Sequence, residues 1–219
     1  MPDDLAYWGV FFCAALALNL SPGPDLLYIL SRTLGQGKRV GIASALGVCS
    51  GALVHVAAAA LGLSAILATS AWAFSLIKYV GAAYLLYLGI QALRSSGTIA
   101  EQLAGLGGQA AGEDAWEAAR KAYWQGVWID ILNPKVAIFF MAFLPQFVRP
   151  GQGEVPLQLF VLGCLVIAVA VVVETLLVLA AARTRRFLVE NRAASRWLDR
   201  LMGSVLLGLG LRLALTERS

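Results

Sequence analysis

The chain has 219 residues, of which 59% are hydrophobic and 14% charged, with a formal net charge of +4. Soluble domains carry about 25% charged residues, so the composition excludes a water-soluble domain and points to an integral membrane protein. Its basic residues lie beside apolar runs, where they report topology, and nothing in the balance calls for nucleic acid as a partner.

Apolar segments of membrane length recur at 7–30, 40–68, 72–93, 123–148, 156–182 and 197–215. The expectation is an all-α integral membrane protein of six transmembrane helices in one domain, 1–219, with a first three-helix half (1–94), a linker (95–122) and a second half (123–219). The opening Met1-Pro2-Asp3-Asp4 is acidic where a signal peptide is basic, so the first span is read as retained. That span is interrupted. Residues 7–20 rise roughly 21 Å at about 1.5 Å per residue, short of a hydrocarbon core about 30 Å thick. Asn19-Leu20-Ser21-Pro22-Gly23-Pro24-Asp25 therefore falls at membrane depth. Irregular backbone survives there only when it is packed in protein or lines a polar cavity, and transporters hold substrate at such broken helices. Pro22 and Pro24 lack amide hydrogens, so a second half-helix is expected to start near Pro24, with Ser21 or Gly23 at its cap.

In the second span, Gly47-Val48-Cys49-Ser50-Gly51 is a small-residue pattern that favours tight helix packing over chemistry, and His55 is a lone intramembrane histidine. Lys78, near the start of the third span, is expected to snorkel to the outer interface. The linker is rich in Gly, Ala and Gln and reads as a mobile connection. The fourth span repeats the theme of the first with Asp130-Ile131-Leu132-Asn133-Pro134-Lys135. Here the helix is expected to restart at Pro134 with Asn133 as N-cap. Glu174 is the acid of the fifth span, and the basic stretch 183–200 suits an interfacial helix or an ordinary inside loop.

Six crossings divide the basic residues between two faces, three against twelve, which puts both termini outside the cytoplasm. Trp8, Phe11 and Phe12 at one end, with Trp124, Trp128 and Trp197 at the other, suit interfacial belts. Two three-helix halves then have opposite orientations, as in an inverted repeat, and their breaks meet at similar depth. Cys13, Cys49 and Cys164 are scattered through apolar runs and support neither a disulfide framework nor a metal or redox motif. No metal or other cofactor is expected.

The restarted half-helices offer positive ends to a common point, a site for a carboxylate, while Asp25 and Asp130 complement an ammonium group. An amino acid carries both. Ser21, Gly23, Asp25, Asp130 and Asn133 are the candidate substrate-binding residues, with Pro22, Pro24 and Pro134 making the breaks. Asp25, Asp130, His55 and Glu174 are candidates for proton coupling, because ionisable groups within spans are costly and usually functional. Each has a plainer reading: Asp25 complementing its own helix dipole, Asp130 pairing with Lys135, His55 bonding between helices.

The chain resembles the LysE/RhtB superfamily of bacterial lysine and homoserine/threonine exporters. The resemblance rests on Ser21-Pro22-Gly23-Pro24-Asp25, on Gly35, Gly37 and Gly41 in the stretch that follows, on Gly81-Ala82-Ala83-Tyr84-Leu85 with Gly89, and on Asn133-Pro134-Lys135 followed by Phe143-Leu144-Pro145-Gln146-Phe147. These blocks occur in order over nearly the whole chain. The resemblance implies a small bacterial inner-membrane exporter of amino acids or their derivatives, driven by the proton motive force and commonly assembled as an oligomer. The leading expectation is proton-coupled efflux by alternating access. A membrane-embedded enzyme or redox carrier finds no CxxC, clustered His, or nucleophile with a base. A receptor or scaffold without flux is the remaining alternative.

Overall fold

The computed structural model describes residues 2–63, 114–149 and 151–183, together with scattered helical positions between 72 and 94 and between 200 and 214. Most of the expected third and sixth spans, with Lys78 and Trp197, lies outside the described residues, as does linker segment 95–113. Among the described residues all regular structure is helical.

The first expected span is two helices, α1 (Pro2–Leu20) and α2 (Pro24–Gln36), bent 56° at the break. Gly37 turns the chain directly into α3 (Lys38–Ala58) with φ of 88°, a left-handed conformation that glycine adopts without Cβ strain. A π-helical turn, Ala59–Leu63, extends α3. The fourth expected span is likewise two helices, α4 (Ala115–Ile131) and α5 (Pro134–Phe143), bent 53°, with a 3-10 turn over Leu144–Phe147. α4 begins inside the segment expected to be linker, where the Asp114 side chain accepts from the Trp116 N–H and caps the helix. The fifth span is the unbroken α6 (Val155–Arg183). Of the described helices, α3 with its extension and α6 are long and apolar enough to cross a bilayer, and each bent pair makes one further span.

Contacts at the two ends fix the relative direction of the broken spans. At one end, Tyr7 Oη of α1 donates to Phe147 O at 2.6 Å, and Arg149 reaches Asp4 at 2.7 Å. At the other, Tyr28 Oη of α2 donates to Ala122 O of α4 at 2.7 Å, and Arg32 of α2 donates to Gln125. The start of each broken span therefore lies beside the end of the other. They are antiparallel, the relation expected for the leading spans of two opposed halves.

α3 and α4 approach backbone to backbone. A Cβ on Gly51 would sit 2.6 Å from Val127 O, and one on Gly126 would sit 2.6 Å from Ser44 O, so side chains at either position would force the helices apart. The glycine pattern of the second span thus serves packing, with α4 as its partner. The largest core cluster joins α1, α5 and α6 through Phe11, Phe139, Phe143 and Leu159, with Phe139 stacked on Phe143 at 4.7 Å between ring centroids. Leu53, Val54, Val161, Val172 and Leu176 point outward from α3 and α6, where hydrocarbon rather than water suits them.

Candidate functional site

Proline chemistry builds the site at both breaks. In a continuous helix the N–H of residue 22 would bond Leu18 O, and that of residue 134 would bond Asp130 O; proline has no N–H, so Leu18 O is freed, whereas Asp130 O is bonded instead by the Asn133 N–H at 2.9 Å. Each carbonyl also meets a side chain from another element. Lys135 Nζ lies 3.4 Å from Leu18 O, and His55 Nε2 of α3 lies 2.9 Å from Asp130 O. A carbonyl oxygen only accepts, so the His55 bond requires the proton on Nε2.

At the first break α2 starts with Gly23 as N-cap and Pro24 in its first turn, as the sequence implied, but no side chain caps it. Asp25, in that first turn, sits where the helix dipole favours negative charge. Its partner is Lys135: Nζ donates to Oδ1 at 2.9 Å and lies 2.8 Å from Oδ2. Lys135 also donates to Ser21 O at 3.2 Å. Both side chains are buried, so two charged groups from different helices are neutralised within the protein. Gly23 makes room for the pair, since a Cβ there would lie 2.6 Å from Asp25 Oδ1 and 2.7 Å from Lys135 Nζ.

The second break caps itself. Asn133 Oδ1 accepts from the Lys135 N–H at 3.1 Å, with Pro134 in the first turn, as its sequence signature required. That bond fixes the amide orientation and leaves buried Asn133 Nδ2 without a partner. Asp130, buried in the last turn of α4, has no hydrogen bond at Oδ2, which lies 3.9 Å from His55 Nε2. The pairing of Asp130 with Lys135, suggested by their separation in sequence, is not what forms; Lys135 turns to Asp25 instead.

Asp25, Asp130 and Glu174 together line one small cavity, closed by Leu18, Asn19, Val48, Cys49, Phe140 and Val166 among others. It has room for about one water molecule. Glu174 of α6 is buried and accepts from the Cys49 thiol at 3.5 Å. The structure therefore brings four of the sequence candidates, Asp25, Asp130, His55 and Glu174, to one region, with Ser21 and Gly23 beside the ion pair. Pro22 is half-buried and Pro24 and Pro134 are exposed, so the prolines shape the backbone rather than line the cavity. Sequence reasoning missed Lys135 as the partner of Asp25. The signal was present in the rule that a lysine buried at membrane depth must find an acid or freed carbonyls, and Pro22 frees one.

Two antiparallel broken spans that bring buried charged groups to one small cavity are the arrangement by which membrane transporters hold substrate. The chain belongs to the LysE type translocator family, whose model matches residues 16–217. It is 32% identical to an uncharacterised membrane protein of Vibrio cholerae, over 96% of this chain and 98% of that one. Over 95% of this chain and 96% of the relative it is 29% identical to the homoserine/homoserine lactone efflux protein of Salmonella typhimurium. An uncharacterised membrane protein of Pseudomonas aeruginosa is 30% identical over 95% of this chain and 94% of its own length. No solved structure matches the chain.

Proposed function

We propose that the protein exports small amino acids or their derivatives from the cytoplasm across the bacterial inner membrane, by proton antiport with alternating access. The observation that carries this reading is the convergence of both broken spans on Asp25, Lys135, Asp130 and Glu174 around one cavity. The efflux relatives add the direction and an amino-acid-like substrate. Asp25, Ser21, Gly23, Asp130 and Asn133 form the substrate site in this reading. Asp130 and Glu174 are the proton carriers, because each is a buried carboxyl with no lysine or arginine ion pair among the described residues. His55, bonded to the Asp130 carbonyl, is the partly exposed member of that chain.

A cavity with room for about one water is too small for an amino acid, so binding requires the site to widen. The α3–α4 seam crosses the boundary between the two three-helix halves, and its backbones interlock at Gly51 and Gly126. Opening therefore proceeds at the breaks, with α2 and α5 swinging against a fixed α3–α4 pair. The charge asymmetry of the sequence supports an orientation with both termini on the periplasmic side. With native cysteines replaced, a cysteine at Gly151 should react with an impermeant thiol reagent in intact cells while one at Lys38 stays protected; the opposite pattern reverses the topology.

The deciding experiment feeds dipeptides to cells with and without the protein and follows the released amino acids, including homoserine and its lactone supplied directly. Expression should lower the internal pool of at least one compound, and an uncoupler should abolish the difference. No change across a full panel rejects export, and flux insensitive to the uncoupler rejects the proton coupling.

A further inference from the structure

We infer that the first break is a cradle for a primary ammonium group and that Lys135 is its tethered occupant, displaced when substrate binds. The inference rests on the export reading and assigns a role to the one residue at the site's centre that the reading leaves idle. Around Lys135 Nζ stand both carboxylate oxygens of Asp25, at 2.9 and 2.8 Å, and the carbonyls of Ser21 at 3.2 Å and Leu18 at 3.4 Å. An ammonium has three hydrogens and no lone pair, and this acceptor set serves all three. The two carbonyls belong to the C-terminal end of α1 and its first residue beyond, where the helix dipole is negative, and Pro22 releases one of them. Gly23 keeps the space clear, since a Cβ would contact both charged groups. The geometry is thus specific for –NH3+ at the depth where an amine-bearing substrate is expected.

Three features make the occupant removable rather than permanent. Lys135 lies on α5 directly after Pro134, so movement at the second break withdraws its stem from the first. Its side chain is a flexible four-carbon tether. Asp130 and Glu174 share the cavity with Asp25 and hold two further carboxyl groups, Asp130 Oδ2 having no hydrogen-bond partner, so the displaced cation has an acid to go to. Exchange of one ammonium for another leaves the number of charges at Asp25 unchanged, and return of Lys135 after release closes the empty carrier.

The test uses Lys135→Ala in proteoliposomes, with homoserine counterflow as the flux and n-propylammonium, which replaces the deleted side-chain atoms, as the probe. Removing a tethered competitor should lower the half-saturating homoserine concentration at least about tenfold, roughly 1.4 kcal/mol of relieved competition. Added n-propylammonium should raise it again as a competitive inhibitor, while n-propanol does nothing. The opposite result, a crippled Lys135→Ala whose flux n-propylammonium restores without competition, marks a permanent structural ion pair and overturns the proposal. If the wild-type protein moves neither homoserine nor its lactone, their export fails as a reading and the cradle is judged by thermal unfolding in detergent. n-Propylammonium must then stabilise Lys135→Ala but not Lys135→Ala/Asp25→Asn, and equal responses overturn the cradle. Should Lys135→Ala not fold, Lys135→Met keeps the stem, and ammonium chloride becomes the probe with the same outcomes.

Discussion

The two breaks share a backbone device and differ in their electrostatics. Prolines remove a helix bond and start a new half-helix at each, Pro22 and Pro24 at the first and Pro134 at the second, with bends of 56° and 53°. In the first, the acid follows the break, in the opening turn of α2, and is paired with Lys135. In the second, the acid precedes the break, in the last turn of α4, where the helix dipole disfavours negative charge and no lysine or arginine among the described residues pairs with it. The first needs Gly23 to admit a partner from another helix, whereas the second is closed by its own Asn133. One motif, a proline beside an aspartate in a span, therefore yields a charge-paired centre or a self-capped one whose acid has no lysine or arginine partner among the described residues, according to which side of the proline the acid occupies.

The largest expected effect comes from breaking the paired centre. Asp25→Asn strands a buried lysine, and should cost about 3–5 kcal/mol of unfolding free energy, the range for removing one partner of a buried pair. Thermal unfolding in detergent reads this, and Lys135→Met in the same background should recover much of the loss while gradient-driven export stays at least about tenfold down, equivalent to roughly 1.4 kcal/mol. Wild-type stability in Asp25→Asn would show that Lys135 is neutral or already reaches another acid in the resting site, before any opening, and the contrast between the breaks would vanish. Gly23→Ala comes next. Its methyl group enters the space between Asp25 and Lys135, and overpacking of this kind should cost about 1–3 kcal/mol, whereas Gly35→Ala, which meets open space, should be harmless.

Removing the self-cap is a smaller change. Asn133→Ala should cost about 1 kcal/mol, and Ser21→Ala less, because no side chain caps α2. Equal losses at the two positions would mean that the second break does not depend on its cap. Asp130→Asn should be the mildest for stability, under about 1 kcal/mol, since it leaves no lysine or arginine unpaired. Its effect belongs in transport: proton-coupled export should fall while exchange of labelled substrate without a gradient persists. Loss of both together would mean that the Asp130 charge serves substrate binding alone and does not carry the proton.

The breaks were legible in the sequence because their chemistry is local. Pro24 and Pro134 occupy the first turns of their helices, Gly23 and Asn133 the caps, and each follows from an amide that proline lacks or a side chain that reaches two residues on. The glycine pattern on α3 was readable as a packing surface for the same reason, although the sequence did not say that α4 is the helix it meets. The early start of α4 was not legible, because a polar first turn capped by Asp114 looks like linker until its helix is seen to continue into the span.

What the sequence determined by itself is a membrane protein with two proline-broken spans, the ends of those breaks and an asymmetric distribution of basic charge, since span length, capping and loop charge depend on neighbours a few residues apart. Which acid receives Lys135 was decided only by the tertiary structure. Asp130 is near it along the chain, but the 53° bend at Pro134 separates the last turn of α4 from the start of α5, while antiparallel packing of the two broken spans delivers Asp25 and the freed Leu18 carbonyl to the same ammonium. A charge buried among helices is satisfied by whichever acceptors packing brings within about 3 Å, and distance along the chain has no part in that choice.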